Sequence, residues 1–473
     1  MNGGFELRLS DTIAAIATPP GAGAIAVIRV SGPATPEICD RVLAPRVGPA
    51  FSRSRARYAR LVTIAAGESA LVIDTALATL FRAPRSYTGE HLAEISCHGG
   101  RVVPQSVLSA LLAAGARAAD PGEFTLRAFL AGRVDLAQAE AVASLIGAGT
   151  EAAARAAHAQ LDGALSRTVS AARNSLLDIA AQIEAAIDFQ DEAGDFEHES
   201  VARRLQQTGA DLAALLETAR YGAVLRDGIR IAIVGRPNAG KSSLLNLLAQ
   251  RSRAIVTPIA GTTRDTIEQE VNLHDLPATL VDTAGIRATE NAVEAAGVNR
   301  ARSELSHCSV ALAVCDISGP CGVEDEAIVK YAAASAPAVV VALNKVDIAG
   351  HDHGRQTAGR VADWCAAARP VCVSALTGEG RTELITAIAE ASYGGHADER
   401  PDGALILAER HRLAVARAAA AVGSAQQTCL AGMPADFIAI DLRGALDALG
   451  EVTGEAASED IIERIFRNFC IGK

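Results

Sequence analysis

Ile229-Arg-Ile-Ala-Ile-Val-Gly235-Arg-Pro-Asn-Ala-Gly240-Lys241-Ser242-Ser243 decides the reading of this chain. A short apolar run stops at a glycine, and a helical stretch, Ser242–Gln250, follows. Between them, residues 235–242 fit Gly-x-x-x-x-Gly-Lys-Ser/Thr. Glycines let the backbone turn so that successive N–H groups face phosphate oxygens. The helix N-terminus adds its partial positive charge. Lys241 then reaches the β- and γ-phosphates, and the Ser242 hydroxyl ligates Mg²⁺. A strand before and a helix after separate this from a chance match.

Working outward, the base comes next. Asn344-Lys345-Val-Asp347 follows the apolar run Val339–Leu343. A carboxylate at Asp347 accepts two hydrogen bonds from guanine's N1–H and amino group, a donor pair that adenine lacks. Leaving polar groups unpaired rejects the wrong base strongly. Ser374-Ala375 follows a further short strand, Pro370–Val373, and its backbone N–H can meet guanine O6. Asp282-Thr283-Ala284-Gly285 supplies a second carboxylate near Mg²⁺ and a glycine N–H for the γ-phosphate. Gly261-Thr262-Thr263-Arg-Asp265 lies between the phosphate loop and this last motif, with Thr263 expected on Mg²⁺. Together, in their order along the chain, these motifs predict GTP as the nucleotide. In Ras-like proteins a Gln after the Asp-x-x-Gly glycine orients the attacking water. Here that position is Ile286, which cannot, and the acidic residues downstream, Glu290 and Glu294, remain open alternatives.

Around this core the hydrophobic period changes along the chain. Residues 1–131 read as α+β, with strands at 25–30 and 92–96 and a helix over 102–118. Residues 132–227 read as helical: Leu165, Val169, Ala172, Leu176, Ile179, Ile183 and Ile187 recur at steps of three or four, which places them on one helix face. Residues 228–393 alternate buried-type runs (278–281, 310–314, 339–343) with helical stretches, which predicts a mainly parallel sheet. Helical periodicity returns over 394–473. The expected architecture is multidomain: an α+β domain, then a helical domain interrupted by a Ras-like P-loop α/β domain.

The 473 residues suit about three domains. Net charge is −11, yet residues 1–131 hold 13 Arg against 10 Asp or Glu. Arg53, Arg55, Arg57 and Arg60 are the cluster that could present a basic patch to nucleic acid; a solvated loop is the plainer reading. Aromatics are 3% of the chain, too few for extended stacking platforms. Nine Cys with no Cys-x-x-Cys pair suit a reducing compartment. Neither a signal pattern nor an apolar run long enough to span a bilayer occurs, so a cytoplasmic protein without membrane contact is expected. Of 44 basic residues only Lys241, Lys330, Lys345 and Lys473 are Lys. Where Arg is used almost everywhere, a retained Lys hints that a compact ammonium is needed.

These residues resemble the MnmE (TrmE) family of bacterial and organellar tRNA-modification GTPases over essentially the whole chain. The resemblance rests on 11–21 (Asp-Thr-Ile-Ala-Ala-Ile-Ala-Thr-Pro-Pro-Gly), 87–90 (Tyr-Thr-Gly-Glu), 98–100 (His-Gly-Gly), 121–124 (Pro-Gly-Glu-Phe) and 135–141 (Asp-Leu-Ala-Gln-Ala-Glu-Ala). It also rests on residues 235–243 and 261–265, and above all on Phe469-Cys-Ile-Gly-Lys473. It implies a tetrahydrofolate-binding N-terminal domain that makes a homodimer, and a partnership with MnmG, an FAD enzyme, as a heterotetramer. Together they would install a carboxymethylaminomethyl or aminomethyl group on carbon five of the wobble uridine of certain tRNAs. The resemblance further implies K⁺ contacts from Asn238, Thr257, Ile259 and Thr262. It places Ala239, Gly240, Ser243, Pro258, Ala260 and Gly261 against GTP, and picks Glu294 over Glu290 as the catalytic group. A monovalent cation beside the phosphates takes the part of an arginine finger. Arg264, Asp265 and Arg287 would belong to the switch. Folate contacts would come from Arg29, Glu94, Arg133 and Lys473, with Cys470 beside the one-carbon unit; a small buried hydrophobe is the bland reading of that Cys.

This chain departs from the family pattern at Pro258, often acidic, at Ala22, usually charged, at Ala131, frequently Asn, and at Arg133, commonly Lys. Two other readings compete. A GTP-switched ribosome-assembly factor shares Asn238 and residues 261–265 but generally adds a basic RNA-binding domain, whereas this C-terminal segment is acidic and ends in Cys-Ile-Gly-Lys. A dynamin-like membrane mechanoenzyme needs an apolar or strongly basic membrane surface that the sequence lacks.

Overall fold

The computed structural model describes residues 10–66, 71–188, 198–249, 268–282, 305, 307–394, 403–467 and 469–472. Packing divides the chain into two units, residues 1–143 with 447–473, and residues 144–446.

In the first unit, seven strands form one sheet: β1 (Ile13–Ile16), β2 (Ile25–Ser31), β3 (Leu43–Pro45), β4 (Ala59–Ala66), β5 (Leu71–Phe81), β6 (Leu92–His98) and β7 (Arg117–Ala118). Their order is β3-β4-β5-β6-β2-β1-β7, antiparallel throughout except for β1 with β7. Side chains alternate between the faces. Ile28, Val30, Ala78, Leu80 and Ile95 share one core with residues of the helices Thr35–Val42 and Val103–Ala113. On the opposite face Thr79, Glu94, Arg29 and Ala15 lie in register across β5, β6, β2 and β1. One end of that face is closed by Ile13, Leu92 and Phe124.

The helix expected over 102–118 is shorter, Val103–Ala113. Gly115 adopts φ +111°, and the chain then turns to pair β7 with β1 through Arg117 N–H to Thr12 O (2.8 Å) and Ala119 N–H to Ala14 O (3.0 Å). Of the seven strands, the sequence reading found only β2 and β6. The others are rich in Ala, a helix former, and their strand state is fixed by the neighbours they pair with.

In the second unit six strands form the other sheet: β8 (Ile229–Gly235), β9 (Glu268–Leu273), β10 (Leu276–Asp282), β11 (Val310–Asp316), β12 (Val339–Asn344) and β13 (Arg369–Val373). The order is β13-β12-β11-β8-β10-β9, parallel except for the β9–β10 hairpin. Both faces are buried, which is why these strands read as continuous apolar runs. Ile231, Ile233, Leu312 and Val340 face one core; Ala232, Ala311, Ala313 and Val341 face the other.

The apolar stripe lies on the helix Ala164–Asp188, where Leu165, Val169, Leu176, Ile179 and Ile183 are fully buried. Each such side chain contributes about 1.5–3 kcal/mol. The helix Glu409–Leu430 packs along the helix His198–Glu217, and Cys429 Sγ lies 3.0 Å from His198 O. Helices from both sides of the parallel sheet in sequence are thus joined, as expected for an α/β domain inserted into a helical one. Among the described residues no helix is long and apolar enough to cross a membrane.

Candidate functional site

The loop between β8 and the helix Lys241–Ala249 has the conformation its glycines and Asn permit. Gly240 sits at φ +93° and Asn238 at φ +62°. A Cβ on Gly240 would fall 2.2 Å from Asn344 Nδ2, so any other residue would strain the backbone and displace that amide. Asn344, at the end of β12 and nearly fully buried, donates from Nδ2 to Ala239 O (2.9 Å) and accepts at Oδ1 from Ala375 N–H (3.0 Å). One side chain therefore joins the phosphate-type loop to the loop after β13. Lys241 Nζ donates to Gly235 O (2.8 Å) and Arg236 O (2.7 Å), which holds the ammonium over the loop. Ser242 and Ser243 are exposed in the first helical turn.

A cavity of about 590 Å³ opens beside this loop. It is lined by Gly240, Ser243, Asn344, Lys345, Asp347 and Ala375, all singled out from sequence. Asn246, Leu247, Ile348, Leu376, Thr377 and Gly378 line it as well, and sequence reasoning missed them. Ile348 and Leu376 are 68% and 86% exposed. Two bare apolar side chains with a carboxylate, Asp347, in the same cavity suit a flat heterocycle with a donor edge. Asp347 itself is exposed, in the first turn of the short helix Val346–Ala349. Lys345, held at φ +69°, makes an ion pair with Asp316 at the end of β11. Burial would raise the Asp316 pKa, but hydrogen bonds from Lys345 and Ser318 outweigh it and hold the carboxyl below its usual value.

A second ion pair braces the phosphate-type loop. Arg236 Nε lies 2.9 Å from Oδ1 of Asp325, which is 1% exposed. Asp325 Oδ2 also accepts from Gly322 N–H (3.0 Å), capping the helix Val323–Ser335. Asp316 and Asp325 therefore brace the loop after β12 and the glycine loop from the two ends of one connection. The only sequence signal for this was the acid at the end of an apolar run, in register with Asn344.

Asp282 closes β10, in register with Ile233 of β8, so its backbone reaches the same strand ends as the glycine loop. Thr257, Pro258, Ile259, Ala260, Gly261, Thr262, Thr263, Arg264 and Asp265 lie outside the described residues. So do Thr283, Ala284, Gly285, Ile286, Arg287, Glu290, Glu294 and Lys473.

The first unit brings other singled-out residues together. Arg29 Nε donates to Glu94 Oε1 (3.0 Å), NH2 lies 2.9 Å from the same oxygen, and the guanidinium stands 5.6 Å from the centre of the Tyr87 ring. Arg29 NH1 approaches Gly472 O at 3.5 Å. Gly472 has φ +92°, and a Cβ there would fall 2.5 Å from Ile16 O. Gly122 N–H reaches Cys470 O at 3.4 Å, and Cys470 is exposed. Residues 469–472 are thus laid against the β1–β2 sheet beside Arg29. Arg133 is exposed, and its side chain passes Gly89.

Behind this shelf is a charge cluster that sequence reasoning did not find. Arg127, 2% exposed, meets Asp11 (2.6 Å), Glu123 (2.8 Å) and Glu90 (3.2 Å). Arg117 meets Asp11 and Glu123, each at 2.6 Å. Glu90 also accepts from Ser31 Oγ (2.8 Å). For Asp11 and Glu123, burial pushes upward, but hydrogen bonds from Arg117 and Arg127 prevail and hold both carboxyls below their usual values.

Comparison with known proteins identifies the family. Residues 12–133 match the family model described as GTP-binding protein TrmE N-terminus, and residues 136–470 match that of the MnmE helical domain. The chain is 47% identical over 466 residues to the tRNA modification GTPase MnmE of Chloroflexus aurantiacus, covering 98% of this chain and 100% of that relative. It is 44% identical over 473 residues to the protein of the same name from Heliobacterium modesticaldum, covering 98% and 100%. It is also 44% identical over 472 residues to that from Roseiflexus sp. (strain RS-1), covering 98% and 99%. By the matched models and by identity over nearly its whole length, the chain belongs to the tRNA modification GTPase MnmE family.

Proposed function

We propose that this chain is a K⁺-dependent GTPase that works as a homodimer in the cytoplasm with an FAD-dependent partner of the MnmG type. In a heterotetramer the two add a carboxymethylaminomethyl or aminomethyl group to carbon five of the wobble uridine of certain tRNAs. GTP hydrolysis drives the pairing of G domains and the conformational change. The domains of this reading are 1–131, 132–227, 228–393 and 394–473. The observation that carries it is the cavity in which Gly240, Asn344, Asp347 and Ala375 converge, on a chain whose residues 469–472 fold back beside Arg29.

Asp347 accepts the guanine donor edge, Ala375 lines the same cavity with its N–H donated to Asn344, and Ile348 and Leu376 flank the ring. Lys241 balances phosphate charge, and its ammonium, already held by two carbonyls, needs little reorganisation. The donors for Mg²⁺ are oxygens: the exposed Ser242 hydroxyl, with Thr263, and Asp282 close by in the strand ends, a set that fits a hard cation. The ion, when bound, withdraws charge from the β- and γ-phosphates. Asn238, exposed on the loop, with Thr257, Ile259 and Thr262, fits K⁺ through neutral oxygen donors. Glu294 orients the water that Ile286 cannot.

For a tetrahydrofolate derivative, the fit is a free acceptor. Glu94 Oε1 is taken by Arg29, whereas Oε2 has no hydrogen-bond partner among the described residues and can receive a pterin's N–H edge. Arg29, Arg133 and Lys473 provide the cationic side. The folate supplies a one-carbon unit when bound, and the Cys470 thiol stands nearby. The test is reconstitution with the flavin partner and tRNA, omitting GTP, K⁺ and folate in turn, together with wobble-uridine analysis in a deletion strain. Loss of the modified uridine on each omission and in that strain is expected; unchanged uridine in the strain defeats the reading.

A further inference from the structure

The arginine cluster of the first unit, Arg53 to Arg60, plays no part in the sites above. The structure places Arg82 and Arg85 beside it. Arg60 donates to Pro49 O (3.0 Å) and Ser54 Oγ (2.8 Å), and it bonds Val47 O as well. Arg82 donates to Ser52 O (2.6 Å). Arg57, at φ +63°, donates to Arg85 O (3.2 Å), and its backbone N–H meets Leu80 O (2.8 Å). These bonds fasten the 47–58 loop to the turn that follows β5. Arg53, Arg55, Arg57 and Arg85 remain exposed.

What these six guanidinium groups bond to is informative. The partners of Arg57, Arg60 and Arg82 are all carbonyl or hydroxyl oxygens, and none of the six makes an ion pair among the described residues. Asp40 is the carboxylate bonded to this lobe, through Ser52 N–H (2.8 Å). Elsewhere Arg155, Arg226, Arg355, Arg412 and Arg467 each pair with a nearby carboxylate, and the arginines that likewise meet neutral oxygens, such as Arg167, Arg360 and Arg381, are not gathered in one lobe as these six are. In a chain of net charge −11, neutral acceptors leave this lobe's charge uncompensated.

We infer that this lobe is a docking surface for the phosphate backbone of an RNA, the tRNA of the function proposed above, on which this inference rests. Arginine's planar fork matches phosphate oxygens two at a time. Phosphate contacts of this kind position a nucleic acid without reading its bases. Tyr58, 61% exposed next to Arg57, adds a face on which an unpaired base can stack.

The test is fluorescence anisotropy of a labelled tRNA with the full chain across a salt series. Arg53→Gln, Arg55→Gln and Arg85→Gln together remove three phosphate contacts. The salt slope is expected to flatten by roughly 2 to 3, with binding roughly 10- to 100-fold weaker. Basal GTP hydrolysis stays unchanged. The same three positions changed to Lys keep the wild-type slope, because the charges remain. A wild-type slope in the Gln variant, with tRNA still bound, overturns the docking surface and leaves the proposed function standing. Wild-type chain that binds no tRNA counts against the proposed function itself. Binding of anionic lipid vesicles, lost in the Gln variant while tRNA binding persists, assigns the lobe to a membrane and also overturns the inference.

Discussion

Replacing Arg127 by Met keeps most of the side-chain volume and removes one charge from a nearly closed site. Arg127 is 2% exposed and meets three carboxylates at 2.6 to 3.2 Å. It also donates to Asp11 O (3.0 Å), which ties the helix Glu123–Leu130 to the start of β1. Without it Asp11, Glu90 and Glu123 face one another with Arg117 alone. Breaking a buried pair by removing one partner costs about 3–5 kcal/mol. For a unit of this size each kcal/mol lowers the melting temperature by roughly 2–4 °C, so a fall of roughly 10 °C is expected. The pH dependence follows from the direction of the shifts. In the wild type Asp11 and Glu123 have lowered pKa values. Their stabilising contribution is therefore complete above the ordinary carboxylate range and is lost as pH falls through their lowered values. In the variant, burial without the guanidinium raises both groups, and protonation relieves the repulsion. The gap between the two proteins must narrow as pH drops from about 7 to about 4. The chain has more than one unit, so a single unfolding curve is a poor gauge. Hydrogen exchange of peptides covering β1 and β2, compared at both pH values, reads the effect locally. A gap of equal size at both would refute the electrostatic account.

Four further outcomes are expected. Asp347→Asn should weaken GTP binding roughly 10²–10⁴-fold and favour xanthosine triphosphate, read by competition against a fluorescent nucleotide. Asp316→Asn frees Lys345 and should weaken nucleotide binding roughly three- to tenfold while turnover at saturation is retained, because the pair is partly exposed. Glu294→Ala should lower turnover roughly 10²–10⁴-fold with GTP affinity nearly intact; K⁺ should speed the wild type and Na⁺ should not, in a phosphate-release assay. Cys470→Ser should preserve GTP hydrolysis and abolish the modified uridine, measured by mass spectrometry of digested tRNA.

The parallel sheet was legible because strands buried on both faces carry unbroken apolar runs, as at Val310–Asp316 and Val339–Asn344. The stripe from Leu165 to Ile183 was legible because a helix period survives without its surroundings. The phosphate loop was legible because its glycines are demanded by the backbone. β4 and β5 were not, since their Val, Ile and Thr are interspersed with Ala and Leu and show no clean alternation of apolar and polar residues, and their strand state comes from pairing with each other and with β6. The Asp325–Arg236 pair spans some ninety residues and has no local signature. The walls Ile348 and Leu376 were missed for a different reason: an exposed apolar residue becomes informative only when a cavity beside it is known.

The strand order around β8 divides labour inside the parallel sheet. The residues proposed to read the base follow β12 and β13, braced from β11, on one flank; Asp282 stands on β10, on the other. The glycine loop rises from the strand between them. Descendants of such a scaffold can therefore revise what the molecule selects and what it transmits as separate inventions, provided the shared central strand is left alone.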